Sequence, residues 1–187
     1  LSGKLEETND AYAIAKIAGI TMCYNYSLKY KLNYQSLMPP NLFGPGDNYD
    51  LKNSHFFPAL IKKIYKEKIK NKKKIYLWGS GKPKRELMFV DDLAEAVLFF
   101  MKKKFKESYL NIGTGKDHSI KWYTDFVSRQ LKHNVIIKFD RSMPDGTKRK
   151  VLEVSIAKKY GWKPKISLNE GFKLTFDDFL RKKSYKS

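Results

Sequence analysis

Glu86-Leu87-Met88-Phe89-Val90, then Asp91-Asp92-Leu93-Ala94-Glu95-Ala96-Val97-Leu98-Phe99-Phe100, then Tyr109-Leu110-Asn111-Ile112-Gly113-Thr114-Gly115 decide the fold class. The first five residues form a short apolar run of strand length. Asp91-Asp92 predicts a cap on a helix from Leu93 to about Lys103, packed through Ala94, Ala96, Val97, Phe99 and Phe100. Tyr109 to Ile112 is a second strand, and glycines follow it. A helix of crossover length between two strands brings them parallel, so the unit reads as α/β.

The same alternation continues in both directions. Asn9 and Asp10 precede a long helical pattern from about Ala11 to Tyr30, with Ile14, Ile17, Ala18, Met22 and Tyr26 recurring at three- and four-residue steps. Ser36-Leu37-Met38 is strand-like and ends at Pro39-Pro40. Asn41 to Asn48 reads as a loop on turn chemistry. Pro58 opens a second helix striped by Leu60, Ile61, Ile64 and Tyr65. Ile75 to Gly79 is a strand, with a turn over Gly79 to Pro83. Ser119 caps a helix to about Leu131, Val135-Ile136-Ile137 is a strand, and Pro144-Asp145-Gly146 is a turn. Short helices are expected near Ser155–Tyr160 and from Leu168 to about Phe179, with a frayed polar tail from Arg181 to Ser187. Together these elements predict an α/β fold with a mainly parallel sheet.

Composition narrows the class. The chain has 187 residues and 42% apolar content, enough for a core, and 12 Phe, 12 Tyr and 3 Trp exclude disorder throughout. Cys23 alone cannot form a disulfide framework, and the Cys and His residues lack zinc-ligand spacing, so no metal is expected. No apolar run reaches membrane-span length and no signal-peptide pattern is present, which predicts a cytoplasmic protein without a membrane partner. The net charge of +19 invites a polyanion reading. Lys outnumbers Arg 33 to 5, however, and the runs Lys72-Lys73-Lys74 and Lys102-Lys103-Lys104 sit where amphipathic segments end. A solvated lysine surface with no specific nucleic-acid partner fits better, although the charge still attracts an anionic ligand.

Tyr12-Ala-Ile-Ala-Lys16 is the single Tyr-x-x-x-Lys spacing. On a helix these two side chains share a face, where the ammonium favours the phenolate of a proton donor. About two such pairs arise by chance in so Lys-rich a chain, so alone it is equally an ordinary surface pair. His55, between Ser54 and Phe56, is likewise by itself an unremarkable half-buried histidine. Cys23 reads as a packing residue beside Met22 and Tyr26.

Taken together the motifs say more. Tyr12–Lys16 is followed by Met38-Pro39-Pro40-Asn41-Leu42-Phe43-Gly44-Pro45-Gly46-Asp47-Asn48 and by Asn53-Ser54-His55-Phe56-Phe57-Pro58-Ala59-Leu60. Trp78-Gly79-Ser80-Gly81-Lys82-Pro83-Lys84-Arg85-Glu86 and Phe89-Val90-Asp91-Asp92-Leu93-Ala94 come next. Leu110-Asn111-Ile112-Gly113-Thr114-Gly115, Lys138-Phe139-Asp140 and Pro144-Asp145-Gly146-Thr147-Lys148-Arg149-Lys150 complete the series. In this order they resemble the GDP-L-fucose synthase family of extended short-chain dehydrogenase/reductases, from about Gly3 to Leu180.

The resemblance implies an NADPH-dependent epimerase/reductase converting GDP-4-keto-6-deoxy-D-mannose to GDP-L-fucose. It implies an incomplete Rossmann-type parallel sheet, lacking its N-terminal strands, plus a smaller mixed α/β substrate-binding domain. Residues 1–42 and about 86–113 would belong to the NADP-binding part, and 43–85 with 114–187 to the sugar-nucleotide part. Tyr12 would protonate the C4 oxygen, Lys16 would hold the nicotinamide ribose, and His55 would act as acid in epimerisation, near the cofactor. Pro39, Pro40, Asn41 and Leu42 would touch the nicotinamide end. Pro40 stands where the family usually has threonine, which removes a hydroxyl and a backbone donor. Lys63, Trp78, Arg85 and Asp145 would bind the GDP-sugar, with cations on the diphosphate, an indole under a ring and a carboxylate for guanine or sugar donors. Lys63 has neighbours, Lys62 and Lys66, that read as solvated. A homodimer paired through the tyrosine helix is also implied.

Some parts are not found in the sequence. No Gly-x-Gly-x-x-Gly is present, because Gly113-x-Gly115 and Gly44-x-Gly46 meet His118 and Tyr49 at the third position. The family's serine partner of the tyrosine and its cysteine base precede the tyrosine helix, so the chain is expected to be a C-terminal portion, weak in NADPH binding and turnover on its own. Another sugar-nucleotide epimerase/dehydratase, or a basic polyanion-binding module, are the rival expectations.

Overall fold

The computed structural model describes residues 3–182. After a short 3-10 turn, helix α1 spans Asp10–Tyr30, and strands β1 (Leu37–Met38) and β2 (Asn41–Phe43) follow. Then come α2 (Phe56–Ile69), β3 (Lys74–Trp78), β4 (Lys84–Phe89), α3 (Val90–Met101) and β5 (Leu110–Asn111). The remainder is β6 (Asp117–Ser119), α4 (Ile120–Gln130), β7 (Ile136–Asp140), β8 (Arg149–Lys150), α5 (Ser155–Lys159) and α6 (Leu168–Arg181). Of the expected frayed tail, Arg181 closes α6, and residues 183–187 lie outside the described part.

The fold is mixed α/β, with mostly parallel strand pairs. β1 pairs with β5, β2 with β4, β3 with β7 and β8 with β4, all parallel, whereas β6 joins β4 antiparallel. The strands fall into three hydrogen-bonded groups, of 2, 4 and 2 strands. The break falls at Pro39-Pro40. Neither proline can donate to a ladder, and the chain passes from pairing with β5 to pairing with β4 across them. Asn41–Phe43, expected as loop, is therefore a strand: its partner is buried β4, and burial outweighs turn-prone composition.

β4 divides the core. Alternate strand residues face opposite sides, so Leu87 and Phe89 join one apolar cluster while Met88 joins the other. The larger cluster gathers Phe43, Phe57, Ile61 and Ile64 with Tyr123, Val127, Phe172 and Phe179. The smaller one packs Ala96 and Phe100 of α3 against Leu110, Ile112, Ala157 and Trp162. Both faces of this strand are covered by helices, as parallel sheets require.

Three local expectations fail. Helix α1 forms, but no residue on it is buried, and the stripe residues Ile14 and Met22 are 56% and 60% exposed. Cys23 is half-buried rather than packed in the core. The Asp91-Asp92 cap is also corrected. Phe89 occupies the cap position without a side-chain bond, and both aspartates lie inside the first turn of α3. Buried Asp92 instead accepts from the backbone N–H groups of Lys165 (2.8 Å) and Ile166 (3.1 Å), tying α3 to the segment before α6. Ser119 does cap α4, accepting from Trp122 N at 3.1 Å.

Candidate functional site

Helix α1 carries Tyr12 and Lys16 on one face, with the Lys16 ammonium 5.4 Å from the Tyr12 ring centroid. That face lines a cavity of about 1260 Å³. Pro39, Pro40, Asn41 and Leu42 line it too, at the point where the chain changes sheets. Ligands in α/β folds commonly sit at the carboxyl ends of strands where connections diverge, and this crossing from β1 to β2 is such a place. His55, at the cap position of α2, reaches the same cavity. Seven residues that the sequence separates by up to 43 positions thus meet in one cleft.

Three acidic residues of this cleft, Glu6, Asp47 and Glu86, have no place in the sequence-based site. Asp47 lines it, and burial pushes its carboxyl above the usual range, partly offset by the Asn48 N–H and by the charge of nearby His55. Glu86, 1% exposed, lines it as well. Its Oε1 accepts from Thr114 N (2.6 Å), Gly115 N (2.8 Å) and Thr114 Oγ1 (3.0 Å), and Oε2 accepts from Leu152 N (2.8 Å). Gly113 admits this approach, because a Cβ there would lie 2.4 Å from Oε1. Glu86 therefore clamps the loop after β5 and the segment after β8 against the cavity wall.

The expected sugar-nucleotide residues lie elsewhere. Trp78 is 73% exposed on the outer face of β3. Arg85 Nη1 donates to Thr147 O (2.7 Å) and Lys84 O (2.8 Å), and burial lowers its pKa. Asp145 accepts from Ser80 N and, at 2.7 Å, from Ser80 Oγ, which hold its carboxyl below the ordinary range. These three gather around the turn after β3 and the 145–147 loop. Glu6 links the groups: it lines the cavity and accepts from Thr147 Oγ1. Lys63 is apart from them, in a smaller pocket of about 480 Å³ with Lys72, Lys73, Lys74 and Tyr76. Burial lowers the pKa of Lys63. Lys62, expected to be solvated, is buried at 2% exposure, a correction to the simple picture of a lysine coat. His118 stacks on Trp122 with centroids 3.7 Å apart, and His133 Nε2 lies 3.1 Å from Lys72 O, so both have structural partners.

One wall of the cavity, the 44–47 segment, is anchored to α6. Gly46 N donates to Asp178 Oδ2 at 2.8 Å, and with Lys182 and Arg181 it holds the Asp178 carboxyl below the usual carboxylate range. A carboxyl whose folded pKa lies below its unfolded value, about 3.9, stabilises the fold above that value. The contribution is lost as pH falls through the folded pKa. Acid unfolding monitored by circular dichroism should therefore show a flatter acid limb in Asp178→Asn than in the wild type. Identical slopes below about pH 4 would contradict the anchor.

Among the described residues there is no group of three His, Cys, Asp or Glu side chains placed to hold a metal, and no helix is long and apolar enough to cross a membrane.

A Tyr-x-x-x-Lys helix beside a strand-end cleft, on a mixed α/β frame of mainly parallel pairs, defines a short-chain dehydrogenase/reductase type of protein. The chain belongs to the NAD dependent epimerase/dehydratase family, which matches residues 1–113. It is 43% identical over 176 residues to a probable GDP-L-fucose synthase 1 of Oryza sativa subsp. japonica, covering 94% of this chain and 54% of that protein. It is 40% identical to the GDP-L-fucose synthase of Escherichia coli (strain K12), covering 96% of this chain and 59% of that one. Its structure resembles a GDP-mannoheptose C4 reductase from Campylobacter jejuni with NADP bound, at TM-score 0.83 and 27% identity, over 100% of this chain and 63% of the reductase. The chain thus spans a little over half the length of these curated relatives.

Proposed function

We propose that this chain supplies the tyrosine–lysine helix and the sugar-nucleotide side of an NADP(H)-dependent enzyme. That enzyme epimerises GDP-4-keto-6-deoxy-D-mannose at C3 and C5 and reduces it at C4, giving GDP-L-fucose. The reading rests on one observation above all: Tyr12, Lys16, His55 and Pro39–Leu42 line a single cavity. The relatives with 43% and 40% identity support the substrate, and the NADP-bound reductase supports the cofactor.

The residues present fit the nicotinamide end of such a cofactor. Lys16 and Tyr12 offer donors for ribose hydroxyls, and Pro39 and Leu42 offer apolar contact for a flat ring. When bound, the cofactor supplies hydride to the sugar C4. Tyr12 then donates its phenolic proton to the C4 oxygen, and the Lys16 charge beside the ring stabilises the anion left behind. His55 returns a proton to the opposite face of the carbon that a base has deprotonated, a task suited to an imidazole near neutral pH. Lys63, Trp78, Arg85 and Asp145 would hold the GDP-sugar. The cofactor part would comprise residues 1–42 and 86–113, and the sugar-nucleotide part 43–85 and 114–187. Exposed Ile14, Met22, Tyr26 and Leu28 on α1 support pairing of this helix in a homodimer, and the reading places the enzyme in the cytoplasm.

Thermal melting separates this reading from a polyanion-binding module. GDP-mannose at a hundredfold excess over Kd should raise Tm by about 5–10 °C, and a random oligonucleotide at low salt should not. The reverse pattern would overturn the proposal.

A further inference from the structure

Of the three carboxylates on the cleft wall, two are engaged by protein partners. Glu86 accepts from four donors, and Glu6 accepts from Thr147 Oγ1 with its charge toward Arg85. Asp47 differs. Its Oδ1 accepts from Asn48 N at 2.8 Å, and its Oδ2 accepts no hydrogen bond among the described residues. No Lys or Arg among those residues forms an ion pair with it. A half-buried carboxylate is costly unless another charge offsets it. Here the offsetting charge is that of His55.

Asp47 and His55 stand at the two ends of one loop, and both ends line the cavity. The residues between them, 48–54, are tightly bonded. Asn48 Oδ1 accepts from Asp50 N (2.8 Å), Asp50 Oδ1 from Lys52 N and Asn53 N (both 2.9 Å), and Asp50 O from Ser54 N (2.9 Å). Tyr49, 4% exposed, packs on Phe179 and donates to Thr175 O at 3.2 Å. The Asp50 charge faces the buried Lys62 of α2, and Gly46 is tied to Asp178. These bonds hold Asp47 and His55 on the same wall. The remaining charged groups there, Lys16 of α1 and Lys150 of β8, both oppose a positive charge on the imidazole.

Building on the epimerase/reductase reading, we propose that Asp47 is a positioning residue for epimerisation, supplying the negative charge that partners the His55 imidazolium. In each transfer the imidazolium N–H bond breaks, the enolate electron pair becomes the C–H bond at C3 or C5, and neutral imidazole remains. The imidazolium must form again, with a proton from water, before the second carbon is served. A carboxylate held near the ring favours that recharging, which Lys16 and Lys150 alone would oppose.

Diethyl pyrocarbonate acylates neutral imidazole and spares imidazolium. Its rate at His55 of the 187-residue chain, read by peptide mass spectrometry at about pH 6, therefore reports the pairing. Asp47→Asn should react at His55 about threefold faster than wild type or more, and Asp47→Glu, which keeps the charge, near the wild-type rate. His118, stacked on Trp122, and His133, beside Lys72 O, should keep their rates and so report an intact fold. Asparagine can still accept from Asn48 N, and Asp47→Ser, another acceptor without charge, repeats the comparison. In an enzyme completed with the unmatched portion of the Escherichia coli relative, Asp47→Asn should slow deuterium entry at C3 and C5 from D2O by about tenfold, with KM for the GDP-sugar unchanged. NADPH oxidation should slow less, leaving sugar reduced at C4 without epimerisation. Equal His55 rates in wild type and Asp47→Asn, an Asp47→Glu rate as fast as that of Asp47→Asn, or unchanged deuterium entry would each overturn the inference and leave the epimerase/reductase reading standing. A completed wild-type enzyme that oxidises no NADPH would overturn that reading, and the acylation rates would still decide the pairing.

Discussion

Tyr12→Phe should lower C4 reduction by about 10²- to 10⁴-fold in an enzyme assembled from this chain and the portion of the Escherichia coli relative that it does not match. The change removes one oxygen from a ring that is 59% exposed and lies outside both core clusters, so stability should not move. Lys16 stays where it is, and in the proposed arrangement its ammonium holds the ribose and does not take over the proton transfer of the Tyr12 O–H. Binding of the GDP-sugar should be preserved, because, of the residues proposed to hold it, Trp78, Arg85 and Asp145 sit around β3, β4 and the 145–147 loop and Lys63 sits on α2, none of them on α1. The loss therefore falls on kcat, and KM changes little. A Tyr12→Phe enzyme with full kcat would remove the tyrosine from the chemistry.

The second large effect is structural and needs no partner. Glu86→Ala should destabilise the chain by at least about 3 kcal/mol. It leaves the N–H groups of Thr114, Gly115 and Leu152, in bonds that are partly buried, without their acceptor, each costing about 1–3 kcal/mol where water cannot replace it. Those donors, Thr114 N, Thr114 Oγ1, Gly115 N and Leu152 N, belong to two segments that this carboxylate ties together. Glu86→Gln should cost less, because its remaining oxygen can serve the three donors at Oε1 and loses only the bond from Leu152 N. Urea unfolding of the two variants checks the order. Equal losses would mean that the side chain's volume, rather than its acceptors, matters.

What could be read in advance follows from where the information resides. The strand–helix–strand unit around β4, α3 and β5 was legible because its period changes from two to 3.6 within one stretch of residues. The pairing of Tyr12 with Lys16 was legible for the same reason, since helical spacing is a local property. β6 and β8, of 3 and 2 residues, are too short to carry a pattern, and they exist because β4 offers them an edge. Glu86 appeared as one acidic residue in a motif; its role depends on loops 28 and 66 residues away. Asp92 was misread as a cap because its true donors, Lys165 and Ile166, lie more than 70 positions downstream. The α1 stripe showed a genuine helix, yet periodicity cannot say which surface covers it, and the described chain fully buries none of its residues. The placement of Lys63 in a pocket with Lys72–Lys74 and Tyr76 is a fact of three dimensions for which the sequence held no signal.

The central claim is that Tyr12, Lys16 and His55 serve one reaction on a GDP-4-keto sugar. The most direct measurement is absorbance at the NADPH band after mixing this chain with the unmatched portion of the Escherichia coli relative, NADPH and GDP-4-keto-6-deoxy-D-mannose. The account predicts substrate-dependent NADPH oxidation that requires both pieces and disappears in Tyr12→Phe. Oxidation by this chain alone, or oxidation by the mixture that Tyr12→Phe leaves intact, would contradict it.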